Sequence, residues 1–138
     1  ALNQSEAKMT RRILKALENP HVDILAHPTC RLIGQREPVA VDLEAIFQAA
    51  AQHRKILEIN SMPDRLDLQD ISIYRARELG VLLAISTDAH RPEHFDLVRF
   101  GIGMARRGWC RPAHILNCRP LEEVLSYLKR DEASRRTG

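Results

Sequence analysis

The stretch Gly80–His90, GVLLAISTDAH, decides the fold. A glycine suited to end a helix is followed by an apolar, strand-like run, and that run breaks into Asp88 and His90. Two earlier stretches repeat the plan. Ser5 is expected to cap a helix with a stripe of Met9, Ile13, Leu14 and Leu17; Asn19–Pro20 stops it, and VDILA then reads as a strand ending at His27. After the loop HPTCRLIGQREPVAV, Asp42 is expected to cap a helix bearing Leu43, Ile46, Phe47 and Ala50, and ILEIN follows as a second strand. A third helix is expected to start at Asp67 and to end at Gly80, before the quoted strand.

Helices that alternate with short apolar strands indicate α/β architecture with a parallel sheet, because parallel neighbours need long crossovers and helices must cover the sheet. Ligands in such folds gather beyond the carboxyl ends of the strands. Beyond Thr87 a helix is expected through Arg107, broken or kinked at Gly101 and Gly103. PLEEVLSYLKRD reads as a last helix, and residues 131–138 read as a frayed tail.

The chain has 138 residues and 44% hydrophobic content, which suits one globular core spanning residues 1–138. No run is long and apolar enough for a membrane helix, and the amino terminus lacks a signal core, so a cytoplasmic location without membrane contact is expected. Three cysteines without C-x-x-C spacing indicate neither a disulfide framework nor a zinc knuckle. The formal charge of +3 permits nucleic-acid contact without demanding it, and the arginine bias toward the carboxyl end fits a solvated helix face.

Strand alternation groups Asp23, Leu25 and His27, then Ile56, Glu58 and Asn60, then Ser86, Asp88 and His90. Each group turns polar at its carboxyl end. Asp88 and His90 join a hard carboxylate to a borderline imidazole, a donor set for a divalent cation, with His27 as a third ligand. The strands of His27 and Asp88 are separated by ILEIN, about 10 Å across a flat sheet. Either the sheet curls as part of a barrel or the ligands serve neighbouring metals. Taken alone, each histidine reads as an ordinary satisfied polar residue; their recurrence at equivalent strand ends points to metal. Glu58 and Asn60 are expected to line or orient the site, and His94 is the other histidine near enough to reconsider. Cys30, three residues after His27, reads as a packing thiol. No nucleophile elbow or phosphate-binding glycine loop is present. The remaining chemistry is metal-assisted hydrolysis, with Arg31, Arg65 and Arg91 on the loops after the strands as candidate phosphate or DNA ligands.

The segments VDILAHPTCRLIGQREPVAVDLEAIFQAAAQHRKILEIN, PDRLDL, ELGVLLAISTDAHRPEHFDLVRFGIGMARRGW and PLEEVLSYLKR together resemble the carboxyl-terminal half of the polymerase-and-histidinol-phosphatase (PHP) domain, as attached to bacterial family X DNA polymerases. The resemblance implies a partial distorted β/α barrel, half of a seven-stranded one. It implies a cluster of up to three divalent metals, zinc or manganese, in the complete domain. His27, Asp88 and His90 match family ligands, while Cys30 stands where relatives usually carry glycine. The remaining ligands, the polymerase domain and its DNA grip are expected upstream of Ala1. The implied activity is 3′-5′ exonuclease and 3′-end processing in DNA repair, with DNA 3′ ends as substrate. The chain by itself is expected to bind metal weakly or not at all, to lack activity, and to associate with itself or with the missing half through open strand edges. Two alternatives stand beside this: a histidinol-phosphatase-type small-molecule phosphatase, and a non-catalytic PHP domain that supports a polymerase.

Overall fold

A computed structural model describes residues 3–128; the expected tail at 131–138 lies outside the described residues. Ser5 caps α1 (Glu6–Glu18), its hydroxyl accepting from the Lys8 amide at 3.4 Å. Asp42 caps α2 (Leu43–Gln52) by accepting from the Ala45 amide at 3.1 Å. The third helix, α3 (Asp70–Glu78), is followed by Gly80 at φ +85, the left-handed conformation a side chain resists. Strands β1 (Ile24–Leu25), β2 (Ile56–Asn60) and β3 (Leu82–Ser86) form a parallel sheet in the order β1-β2-β3. The α/β expectation is borne out: helices alternate with three parallel strands, the arrangement of a partial barrel.

All five residues of β2 are buried. Leu57, Ile59 and Leu83 of the sheet share one core with Ile46, Phe47 and Ala50 of α2 and Ile73 and Ala76 of α3. Each fully buried leucine or isoleucine there contributes about 2 kcal/mol before ordering entropy is counted. The periodic apolar positions read from the sequence thus become the contact between helical layer and sheet.

Three boundaries differ from expectation. β1 keeps two of the five residues of VDILA in the ladder, with Ile24 opposite Ile56 and Leu25 opposite Leu57. Helix α3 begins at Asp70, because Asp67 is buried in the preceding loop and accepts backbone bonds there. The segment after Thr87 forms a 3-10 turn over Pro92–Leu97 and then α4 (Val98–Arg107), which Gly101 does not break. A Cβ at Gly101 would lie 2.0 Å from Ser61 Oγ and 2.7 Å from Ile85 Cγ2, so the glycine is what lets α4 press onto the ends of β2 and β3.

The outer edge of β3 is covered. Ile115 makes a parallel bridge to Leu83, and the Asn117 side chain accepts from the Ile85 amide and donates to the Ile85 carbonyl, both at 2.8 Å. One amide side chain imitates a neighbouring strand and satisfies both backbone groups. The last helix, α5, spans Leu121–Leu128, with the Pro120 carbonyl accepting from the Val124 amide at 3.1 Å.

Candidate functional site

The register sets Glu58 beside Ala84 and Asn60 beside Ser86, so Glu58, Asn60 and Ser86 project from one face at the carboxyl end of the sheet. The Ser86 hydroxyl donates to Glu58 Oε1. The Asn60 amide is fully buried and lies 3.4 Å from Glu58 Oε2 and 3.3 Å from Asp88 Oδ2, while its own oxygen accepts from the Met62 amide. Asn60 therefore ties the middle strand to the loop beyond β3.

Strand alternation does not reach His27 or Asp88. β1 ends at Leu25 and β3 at Ser86, and both residues have positive φ, 26 for His27 and 54 for Asp88. In the register, Leu25 pairs with Leu57 on the face opposite Glu58, so a continued strand would carry His27 away from the carboxylate. The left-handed turn instead brings the main chain of His27 to Glu58. The His27 amide donates to Glu58 Oε2 at 2.5 Å, and its ring Nδ1 lies 3.7 Å from Cys30 Sγ. Each such backbone costs a residue with a Cβ roughly 1–2 kcal/mol, a strain of the kind that clusters at functional sites.

His90 sits differently. Its exposed ring turns back to the Asp88 carbonyl at 2.6 Å, and its amide donates to His94 Nδ1 at 3.0 Å. Arg91 Nε lies 3.0 Å from His94 Nε2. The structure thus brings Asp88, Asn60, Glu58 and the His27 backbone into one network and leaves the His90 ring in a local, solvent-facing one.

The arginines divide in the same way. Arg31 donates from Nε to the Arg65 carbonyl and from a terminal nitrogen to the Leu66 carbonyl, both at 2.6 Å. Arg65 returns a bond to the Arg31 carbonyl at 3.3 Å and sets its Nε 3.7 Å from Asp88 Oδ2. Arg31 is therefore a brace between loops, whereas Arg65 places positive charge at the site, on the same oxygen that Asn60 approaches.

Asp67, expected to start a helix, instead anchors a loop from a buried position. Both its carboxylate oxygens accept from the Thr29 amide, at 2.9 and 3.2 Å, anchoring the loop that carries His27. Burial pushes its carboxyl above the ordinary aspartate range, opposed by the bonds from Thr29. The segment PDRLDL carries no local sign of this, because caps and buried acceptors use the same residue type. Burial, and then the nearby Asp67, also push the Cys30 thiol up. That disfavours the thiolate a nucleophile needs and agrees with a packing role.

Imidazole nitrogens and the Asp88 carboxylate are donors that zinc or manganese accepts. Among the described residues, however, no group of three His, Cys, Asp or Glu side chains could hold a metal ion. The residues present do not by themselves fit a metal cluster. What they do supply is a braced carboxylate with an adjacent guanidinium at a strand-end rim.

No protein-family profile matches the chain. It is 42% identical to the DNA polymerase/3′-5′ exonuclease PolX of Bacillus subtilis over 132 residues, which cover 96% of this chain and 23% of that protein. It is 33% identical to a probable phosphatase of Thermoanaerobacter over 98 residues, 66% of this chain and 36% of that protein. A probable phosphatase of Aeromonas salmonicida is 29% identical over 91 residues. The chain thus spans between about a quarter and about a third of the length of these relatives. The resemblance to the carboxyl-terminal half of the PHP domain attached to bacterial family X DNA polymerases is borne out by these matches.

Proposed function

We propose that this chain is the carboxyl-terminal part of a metal-dependent PHP-type phosphoesterase within a family X DNA polymerase, trimming or unblocking DNA 3′ ends during repair. The observation that carries the reading is the strand-end network of Glu58, Asn60 and Asp88 with Arg65, found in a chain 42% identical to a protein named as a polymerase and 3′-5′ exonuclease.

His27, Asp88 and His90 are the proposed metal-binding residues, with further donors supplied from outside the described residues. A divalent ion of zinc or manganese type would lower the pKa of a bound water and polarise a phosphoryl oxygen. The chain's own contribution is positional. Asn60 and Arg65 fix the Asp88 carboxylate, Glu58 holds the backbone of His27, and Arg65 presents a guanidinium for phosphate charge. Arg91, beside His94 on the exposed loop, is the second candidate phosphate ligand. The chain alone is proposed to be inactive, and it would regain function only with the missing half of the domain.

The test uses the longer protein that carries this segment, with zinc or manganese and a 3′-labelled single strand. Asp88→Ala is expected to lower exonuclease turnover at least about a thousandfold while polymerase extension persists. Full exonuclease activity in Asp88→Ala overturns the site. Robust turnover by the 138-residue chain alone, abolished by the same substitution, overturns the proposed inactivity.

The similarity to probable phosphatases favours a second reading, a small-molecule phosphatase. Comparing turnover of a 3′-phosphate-blocked DNA end with that of a phosphorylated amino alcohol separates the two. No turnover of either, with an intact polymerase, would leave a supporting scaffold role.

A further inference from the structure

Trp109, Ile71 and Tyr74 form an exposed aromatic face on the helical layer that shares no residue with the strand-end site. Their exposures are 73%, 80% and 41%. With Asp70 and Arg107 they line a cleft of ≈ 210 Å³, at the start of α3 and the end of α4.

The cleft is firmly built. Trp109 has φ 62, so its backbone is left-handed at a bulky residue, and its amide donates to the Arg106 carbonyl at 3.0 Å. Gly108 presses against α3 so closely that a Cβ there would lie 2.4 Å from Ile73 Cγ2. Arg77 donates to the Gly108 carbonyl at 3.1 Å and lies 4.7 Å from the centre of the Tyr74 ring. These contacts pin the turn and hold the indole toward solvent, where burying it would be the default for so large an apolar group.

The charge around the cleft is one-sided. Residues 70–78 and 104–111 hold Arg75, Arg77, Arg106, Arg107 and Arg111 against Asp70 and Glu78, with Arg75 paired to Glu44 of α2 at 2.5 Å. Asp70 is itself paired with Arg107 at 2.7 Å, and Arg106 and Arg111, three residues before and two residues after Trp109 in the chain, are exposed. A protein partner covering this face would have to desolvate those guanidiniums and supply carboxylates for them. A single-stranded nucleic acid supplies both requirements in its repeat: a planar base for the aromatic face and a phosphate for each arginine. Duplex does not, because its bases are stacked inside.

We propose that this cleft binds single-stranded nucleic acid, with one base stacked on Trp109 beside Tyr74 and the flanking phosphates held by Arg106 and Arg111. The proposal does not rest on the hydrolase reading, since binding is measured without turnover.

The chain contains one tryptophan, so its emission reports on this cleft alone. Oligothymidylate added at low salt is expected to quench that emission saturably, and a duplex of equal length to quench it little. Anisotropy of a labelled oligothymidylate is expected to show affinity about tenfold weaker for Trp109→Ala and near that of the parent for Trp109→Phe. Replacing Arg106 and Arg111 with serine should reduce the slope of log affinity against log salt by about 1.4. Circular dichroism of each variant checks the fold. Unchanged emission at saturating oligonucleotide overturns the proposal, as does unchanged affinity in Trp109→Ala or equal quenching by duplex. A blue shift of emission with protein concentration alone would instead make the face a protein interface, and this also overturns it.

Discussion

The loops after β1 and β3 both carry candidate ligands at strand ends, yet they are held in opposite ways. The His27 loop is fastened by residues more than thirty positions away: Glu58 holds the His27 amide, Asp67 holds the Thr29 amide, and Arg31 clasps the carbonyls of residues 65 and 66. The Asp88–His94 loop holds Asp88 through Asn60 and Arg65, but beyond Asp88 its side-chain bonds are local and exposed, made within four residues. Long-range buried bonds preorganise the first loop. Short-range exposed bonds compete with water and can be exchanged for bonds to a ligand at little cost. One half of the rim is thus a fixed wall and the other an adaptable one.

The strongest way to break this contrast is Asp67→Ala, which leaves the buried Thr29 amide without its acceptor. It is expected to cost about 3 kcal/mol in urea unfolding. A loss near zero would mean that the wall is not fastened there. Asp67→Asn sharpens the point, because it keeps an acceptor without the buried charge. The folded pKa of Asp67 lies above its ordinary value of 3.8, so its contribution to stability is present below that value and lost as pH rises through the folded pKa. The stability of the parent relative to Asp67→Asn should therefore fall as pH rises, as thermal melts across that range would record.

Arg31→Ala comes next. Losing its charged bonds to two carbonyls should cost about 2 kcal/mol. It should also speed hydrogen exchange at the Ile33 amide, which donates across the same two loops to the Asp64 carbonyl at 2.6 Å. Unchanged exchange would assign the bracing elsewhere.

The smallest effect belongs to the adaptable loop. His94→Ala removes the acceptor for the His90 amide but should change stability by less than about 0.5 kcal/mol. Nuclear magnetic resonance relaxation should then show faster motion confined to residues 88–94. A large loss of stability would show this loop to be a wall as well.

Much of the architecture was legible. Ser5, Asp42 and Gly80 act locally, through their own hydroxyl, carboxylate or missing Cβ, and each sits where the sequence placed it. The apolar stripes of α2 and β2 likewise mark burial whatever packs against them. Site geometry was legible only in part. Glu58 and Asn60 lie on one face because β2 keeps its alternation to the end, whereas that same rule fails for His27 and Asp88, which lie beyond their strands on left-handed turns. Asp67 looked like a cap, and Gly101 like a helix breaker. Their roles as loop anchor and close-packing contact depend on residues distant in sequence.

By itself, then, the sequence determined that helices alternate with parallel strands and which residue types gather at the strand ends, because hydrophobic period, capping and turn chemistry act over a few neighbouring residues. The tertiary structure alone decided which of those polar groups meet. Bonds such as Asn60 to Asp88 and Arg31 to residues 65 and 66 form between segments far apart in the chain, where only the packed fold sets the distance.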